Sequence, residues 1–327
     1  TTVIAQQLRM PDEIEQYMKK SAIQYQMESL TTLLQPISLP LVEKGLSIKN
    51  TDEGTRLEKE NKVLSKKAQK LVKKAEKAEA KNNYSKALKY YKKALKADPH
   101  HTKILNELSS LYWTQDALEE VIFYAKKIVE QNPINFEAHA RLALAYQKLE
   151  KSDLALEHIH LAHLYNRNHK KVIQIMKSIY VDNGMVYRDF VFNPQYKIEN
   201  KDGRIAVQAN DVPWKTYAAC QALWENDTTY RDQMRYLSNI ETKEIQQKEC
   251  LLNALIGYER MEGGKEKFPA LKVLGTSLRY RMVDDFVLYE ITLRKNPNLI
   301  FILTEEKKQR LIRYMTSVRV NKEPIAE

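Results

Sequence analysis

Residues 68–99 read AQKLVKKAEKAEAKNNYSKALKYYKKALKADP, and residues 102–133 read TKILNELSSLYWTQDALEEVIFYAKKIVEQNP. The two stretches share one apolar skeleton, and their closing prolines, Pro99 and Pro133, lie 34 positions apart. Carrying that period forward puts unit starts at Ala68, Thr102 and Phe136. Unit position 8 then holds Ala75, Ser109 and Ala143; position 20 holds Ala87, Val121 and Ala155; position 27 holds Ala94, Ile128 and Ala162. Apolar residues within each unit recur at helical intervals, and small residues at these three positions let two antiparallel helices approach closely. Asn83-Tyr84 and Ser152-Asp153 mark turns inside units, while Asp98-Pro99 and Asn132-Pro133 mark turns between them, because proline disfavours helix in the residue before it. The third unit departs from the pattern, with His139 at position 4 and Arg167 where the first two have proline.

A single helix pair cannot bury its faces alone, so such units must stack. The period, the small residues at the helix crossings and the closing proline resemble the tetratricopeptide repeat over Ala68–His169. The resemblance implies a mainly all-α fold: a right-handed α-α superhelix of three repeats (68–101, 102–135, 136–169), with the apolar helix at 170–181 as its cap. Chain order suggests an N-terminal helical segment and linker at 1–55, the repeat domain at 56–181, a β-hairpin region at 182–211 and a helical C-terminal domain at 212–327. Ile14, Tyr17, Met18, Ala22, Tyr25, Met27 and Leu30 form a roughly helical stripe, and Ser47–Thr55 reads as a polar linker. Helical signal resumes at Arg56, with Leu57, Leu64, Leu71 and Ala78 spaced by sevens. Alternating runs at 186–192 and around Asp202-Gly203 predict strands, the latter a hairpin. Helices are expected at 213–226, 228–237, 242–261, near 268–274, at 277–294 and at 304–318. Pro213-Trp214, Tyr217-Ala218-Ala219-Cys220 and Glu249-Cys250-Leu251-Leu252 loosely resemble the helical extension of uncharacterised bacterial tetratricopeptide proteins, which implies no activity.

The charge balance narrows the function classes. Net charge is +11, yet fifteen Lys and Arg face five Asp and Glu between Arg56 and Asp98, a local excess of +10. Such a run could bind nucleic acid or an anionic surface through residues 56–96, with Lys66, Lys67, Lys70, Lys73, Lys74 and Lys77 as its basic patch. The lysines fall on polar helix faces without the interleaved aromatics that stack bases, so nucleic acid is the disfavoured alternative. Only eight glycines argue against a nucleotide-binding α/β fold. No stretch is apolar enough to span a membrane. Cys220 and Cys250 read as small buried apolar residues rather than a disulfide, which fits a cytoplasmic setting; the start at Thr1 leaves a removed leader compatible.

Catalytic chemistry finds no support. All seven histidines fall between His100 and His169, and the trio His158, His160 and His163 sits beside packing positions rather than forming a metal face. Glu262-Gly263-Gly264-Lys265 lacks the spacing of a phosphate loop, and Asp284-Asp285 would diverge by about 100° on a helix. We therefore expect no catalytic residues, no metal and no cofactor. In this repeat architecture the first helix of each unit lines a concave face through positions 2, 5, 9 and 12. The expected reading is a non-enzymatic adaptor that binds a peptide or helix of another protein there, with Asn106, Ser110, Trp113, Arg141, Leu144 and Gln147 as contacts. Trp113 stands out because packing does not require an aromatic at its position. The clamp by which related domains hold acidic chaperone tails would need basic and amide residues where this chain has Val72, Glu76, Glu107, Glu137 and Arg141. Three of those five are acidic, so an acidic tail is excluded. Self-association, with residues 1–42 in a groove, is a further expected mode.

Overall fold

The computed structural model describes residues 8–36, 39–51, 54–60, 63–232 and 239–322. Helix α1 spans Pro11–Lys20 and strand β1 Tyr25–Glu28, followed by the antiparallel pair β2 (Leu46–Thr51) and β3 (Gly54–Lys59). Then come α2 (Lys66–Glu79), α3 (Tyr84–Ala97), α4 (Thr102–Trp113), α5 (Leu118–Gln131), α6 (Phe136–Lys148), α7 (Ser152–Tyr165) and α8 (Lys170–Asp182). Strands β4 (Met185–Tyr187), β5 (Tyr196–Lys201) and β6 (Arg204–Ala209) precede α9 (Val212–Asn226), α10 (Thr228–Asp232) and α11 (Asn239–Glu259). The described chain continues through α12 (Pro269–Arg279), α13 (Val283–Phe286) and α14 (Glu305–Ser317) to β7 (Val320–Lys322). The fold is mainly helical, and its contacts divide it into two units: residues 39–188 with 291–327, and residues 1–38 with 189–290. Both are discontinuous, which no segmentation by chain order anticipates. Residues 291–327, grouped with the C-terminal helices in the sequence reading, belong with the repeats.

In the repeat unit, side-chain caps start several of the helices. Ser65, Asn83 and Asn135 side chains accept from the backbone N–H groups of Ala68, Lys86 and Ala138 at 3.2, 3.1 and 2.9 Å, filling donors that the first helical turn leaves open. Between paired helices, Asn82, Asp116 and Glu150 all stand at repeat position 15 with φ of 56°, the left-handed conformation that reverses the chain. Asn and Asp tolerate it, whereas Glu150 is strained there. At the helix crossings Ala75, Ala87, Ala94, Ser109, Val121, Ile128 and Ala143 are fully buried. Further along, Pro297–Ile302 forms a tight helical turn that stacks Phe301 on Tyr165, with ring centroids 6.1 Å apart, and β7 pairs antiparallel with β4.

The segment before the repeats corrects the sequence reading. Residues 47–55 are no linker, nor does helix begin at Arg56: β2 pairs with β3 in the register Leu46↔Lys59 to Thr51↔Gly54. Described residues of the segment between 39 and 65 bond to the turn that closes each repeat. Asn168 donates to the Pro40 carbonyl at 2.7 Å, and Asn166 both accepts from Val42 N–H at 3.3 Å and donates to the Val42 carbonyl at 3.1 Å. Asn132 donates to the Leu46 carbonyl at 2.8 Å, and Asp98 accepts from Ser65 N–H at 2.6 Å. Asp98, Asn132 and Asn166 occupy the same repeat position, 31, so the repeat supplies a ladder of short polar side chains that satisfies the backbone of a strap.

The other unit has a three-stranded sheet in the order β1–β6–β5, with β1 parallel and β5 antiparallel to β6. The β5–β6 hairpin turns through Asp202 and Gly203, both at positive φ (52° and 81°), as the Asp-Gly pair predicts. Residues 25–28 are strand rather than the continuation of a helical stripe, because their partner Ile205–Gln208 lies far away in sequence. Leu30 is buried and its backbone is bonded on both sides by the Asn210 side chain (2.9 Å each). Strand β6 places Ile205 and Val207 on Ala218 and Ala222 of α9. The run at 186–192 forms a strand only in its first residues, and the helix expected at 277–294 is broken at Arg281 (φ 56°). Part of the helix expected at 228–237, residues 233–237, lies outside the described residues.

Asn166→Ala deletes both bonds to Val42 inside a buried site. We expect a loss of about 2 kcal/mol in denaturant unfolding and faster amide exchange at Val42. Asn166→Asp, which replaces the donor with a carboxylate oxygen facing the Val42 carbonyl inside a buried site, should cost at least as much as Asn166→Ala.

Candidate partner-binding groove

The first helices of the repeats, α2, α4 and α6, and the cap α8 form a row whose side chains reach one another across unit boundaries. Arg141 on α6 is half-buried and donates from Nη1 to the Asn106 carbonyl at 3.0 Å and to Asn106 Oδ1 at 3.4 Å on α4. Gln147 donates to Asp182 and lies 3.5 Å from Ser178 Oγ on α8. Lys148 holds its ammonium 5.0 Å from the Trp113 ring centroid and pairs with Asp116 at 2.6 Å. Ser110 and Leu144 are half-buried on the same row. Of the six residues that the sequence singles out, Arg141 and Asn106 bond directly, while Gln147 and Trp113 meet other neighbours, and two of the six are partly committed. Trp113 packs one side against the core of the first two repeats, and Arg141 spends donors on Asn106. Val72 and Ala140, expected to point inward, are buried at 2% and 7% exposure.

Two of the acidic residues that the register places at clamp positions, Glu76 and Glu107, cluster with Glu79 next to Arg141. Burial, then the nearby Glu79 and Glu76, raise the Glu107 carboxyl above its ordinary range, while Lys103 and Arg141 oppose the shift. Lys103 reaches Glu76 at 3.5 Å, and Glu79 accepts from the Tyr91 hydroxyl at 3.1 Å. Glu137 pairs with Lys44 of the strap at 2.6 Å. Lys66, Lys67, Lys70, Lys73, Lys74 and Lys77 are all exposed on α2, away from its buried stripe of Ala68, Val72, Ala75 and Ala78. That helix carries no aromatic residue, so its lysines supply charge and no stacking surface.

The histidines are mostly interior. Nε2 of His139 lies 2.9 Å from the Pro133 carbonyl, which can only accept, so His139 carries its proton there. Its Nδ1 therefore accepts from His158 Nδ1–H at 3.0 Å. This pairing explains how a histidine occupies an apolar repeat position. His160 meets the Tyr180 hydroxyl at 2.8 Å, and His163 is buried. Among the described residues no group of three or more His, Cys, Asp or Glu converges as a cation site, and no helix is long and apolar enough to cross a membrane. Asp284 pairs with Lys248 at 2.7 Å while Asp285 is buried, so the two carboxylates do not act as a pair.

Burial pushes the imidazoles of His139, His158 and His160 down to about 4, and that of His163 down as well. Between the ordinary 6.5 and about 4, the unfolded chain binds protons that the folded third repeat refuses. Stability is thus fully present above that window and falls as pH drops through it. Urea midpoints measured from pH 7 to pH 4 should decline. His160→Phe, which removes one titrating group, should flatten the decline.

The family model described as Tetratricopeptide repeat matches residues 67–101. Among solved structures, the first repeat domain of Spaghetti (RPAP3), determined bound to the HSP90 peptide SRMEEVD, is 21% identical, covers 36% of this chain and 94% of its own, and has a TM-score of 0.35. MamA is 17% identical over 65% of this chain and 95% of its own, with a TM-score of 0.34. A repeat protein from Parabacteroides merdae ATCC 43184 is 14% identical over 77% of this chain and all of its own, with a TM-score of 0.35. No curated protein matches the chain at comparable significance.

Proposed function

We propose that this chain, whose residues 67–101 match the tetratricopeptide repeat, is a non-enzymatic adaptor holding a segment of a partner protein along the row of first helices. Repeat arrays of this kind present a surface rather than a reaction, so function lies in what the row displays. The observation that carries the reading is Trp113: half-buried at the last turn of α4, one side packed on the core, with a lysine ammonium over its ring. Aromatic residues of this kind, rigid and partly desolvated, are the side chains on which interfaces concentrate affinity. Asn106 and Ser110 on the same helix, and Leu144 on the next, extend the contact. Gln147 and Arg141, already bonded across units, hold the row in register.

The charge along the row sets the preference. Glu76, Glu79 and Glu107 cluster on the first two helices of the row, and like charges close together repel a carboxylate-rich segment. An apolar anchor residue flanked by lysine or arginine suits the row, and an acidic chaperone tail does not.

Crosslinking pull-down with the intact chain should recover a partner whose binding drops at least about tenfold with Trp113→Ala, corresponding to ≥1.4 kcal/mol. Ser110→Arg, which blocks the row without touching the core, should do the same with an unchanged thermal midpoint. Retained binding in Ser110→Arg, or a Trp113→Ala defect that only mirrors lost stability, would refute the groove reading.

A further inference from the structure

The two cysteines lie far apart in sequence, on α9 and α11, yet the structure brings their sulfurs within 3.1 Å of one another, both fully buried. The juxtaposition is fixed by the whole helix pair rather than by the thiols. At one end, a Cβ on Gly257 would stand 2.6 Å from Thr216 Oγ1 and 3.0 Å from Pro213 Cα, so glycine is what allows the backbones to close. One turn on, Thr216 Oγ1 donates to the Asn253 carbonyl at 2.8 Å. Beyond the cysteines, Trp224 donates its indole N–H to Glu249 Oε2 at 2.5 Å. Register is thus pinned on both sides of the sulfur pair. Glu249 Oε2 also lies 3.8 Å from Cys220 Sγ, and Cys250 Sγ lies 3.3 Å from Gln221 Oε1.

We propose that Cys220 and Cys250 form an oxidation site, a buried dithiol that a small neutral peroxide closes into a disulfide within one chain. The Glu249 carboxylate accepts the Cys220 proton as that sulfur attacks a peroxide oxygen. The O–O bond breaks, the departing oxygen takes up the proton and leaves as water, and Cys220 becomes a sulfenic acid. Cys250 sulfur then attacks the sulfenic sulfur, the S–O bond breaks, and the hydroxide leaves with the Cys250 proton as a second water. Two thiols and one hydrogen peroxide give one disulfide and two waters. Burial and Glu249 raise both thiols above their ordinary range, which keeps the thiolate fraction low and the reaction slow. No bulky disulfide reaches the pair while the helices are packed, so oxidised glutathione should leave both thiols free.

The test treats the folded chain with hydrogen peroxide, removes the oxidant with catalase, then unfolds and alkylates. The expected result is loss of both alkylatable thiols, a mass lower by two hydrogens, single-chain mobility without reductant, and a peptide linking residues 220 and 250. Dithiothreitol should restore both thiols. Cys250→Ala should instead stop at a Cys220 sulfenic acid trapped by dimedone; should that variant fail to fold, the wild-type peptide map decides alone. Thiols that survive peroxide, oxygen addition without a linkage, links between chains, or a linkage found only in chains unfolded beforehand would each overturn the proposal.

Discussion

The repeat unit depends on one packing constraint, the absence of bulk where paired helices cross. Ala75, Ala87 and Ala94 in the first repeat, and Ala143, Ala155 and Ala162 in the third, are buried at 0–1% exposure. Their methyl groups set how near the helix axes come, and everything displayed further out inherits that spacing. Arg141 reaches Asn106, and Lys148 reaches Trp113, because successive first helices stand one short interaxial step apart. A larger side chain at any of these crossings would have to shift a helix, since a packed interior has no free volume to absorb it. The groove is therefore a property of alanines that never touch it.

In the other unit the Glu249 carboxylate is fully buried and gathers donors from three parts of the chain. Glu249 accepts from Arg9 N–H at 2.6 Å, from the Trp224 indole and from the Tyr230 hydroxyl at 2.8 Å, while the Arg9 guanidinium lies 3.6 Å away. Arg9 also rests over the Tyr230 ring, 4.4 Å from its centroid. Three well-placed donors and a nearby guanidinium compensate the removal of a carboxylate from water, whereas loss of any one would leave part of that cost exposed. The same carboxylate ties the residues before α1 to α9 and α11, which is why a segment so early in the chain belongs to this unit.

What the sequence made legible was whatever repeats or packs locally. The 34-residue period placed α2 to α8 to within a few residues, and Asp202-Gly203 marked its hairpin. The sequence missed what depends on a distant partner. Tyr25–Glu28 look helical by periodicity and become strand only because β6 offers an edge. Leu46–Lys59 alternate mostly polar residues, so neither strand of β2 and β3 shows an apolar face. At the groove, residue positions and the acidic character of Glu76, Glu107 and Glu137 followed from the repeat register, but the convergence of Glu79 with Glu107 did not. Glu79 and Glu107 belong to different repeats and converge only once those repeats stack. His139 looked like a flaw in the pattern until its ring was found bonded to the Pro133 carbonyl and His158.

The strap has a consequence for how the chain is made. Val42 is held by Asn166, 124 residues downstream. At ribosomal rates of 5–20 residues per second, roughly 6–25 s separate the emergence of the two. During that interval the first two repeats can form from contacts close in sequence, because each helix finds its partner next in line. Pro40–Leu46 has no third-repeat ladder to lie on and waits with its backbone in water. When Asn166 arrives, this one segment fastens the ends of the second and third repeats together. Units that could otherwise fray one by one then open and close together.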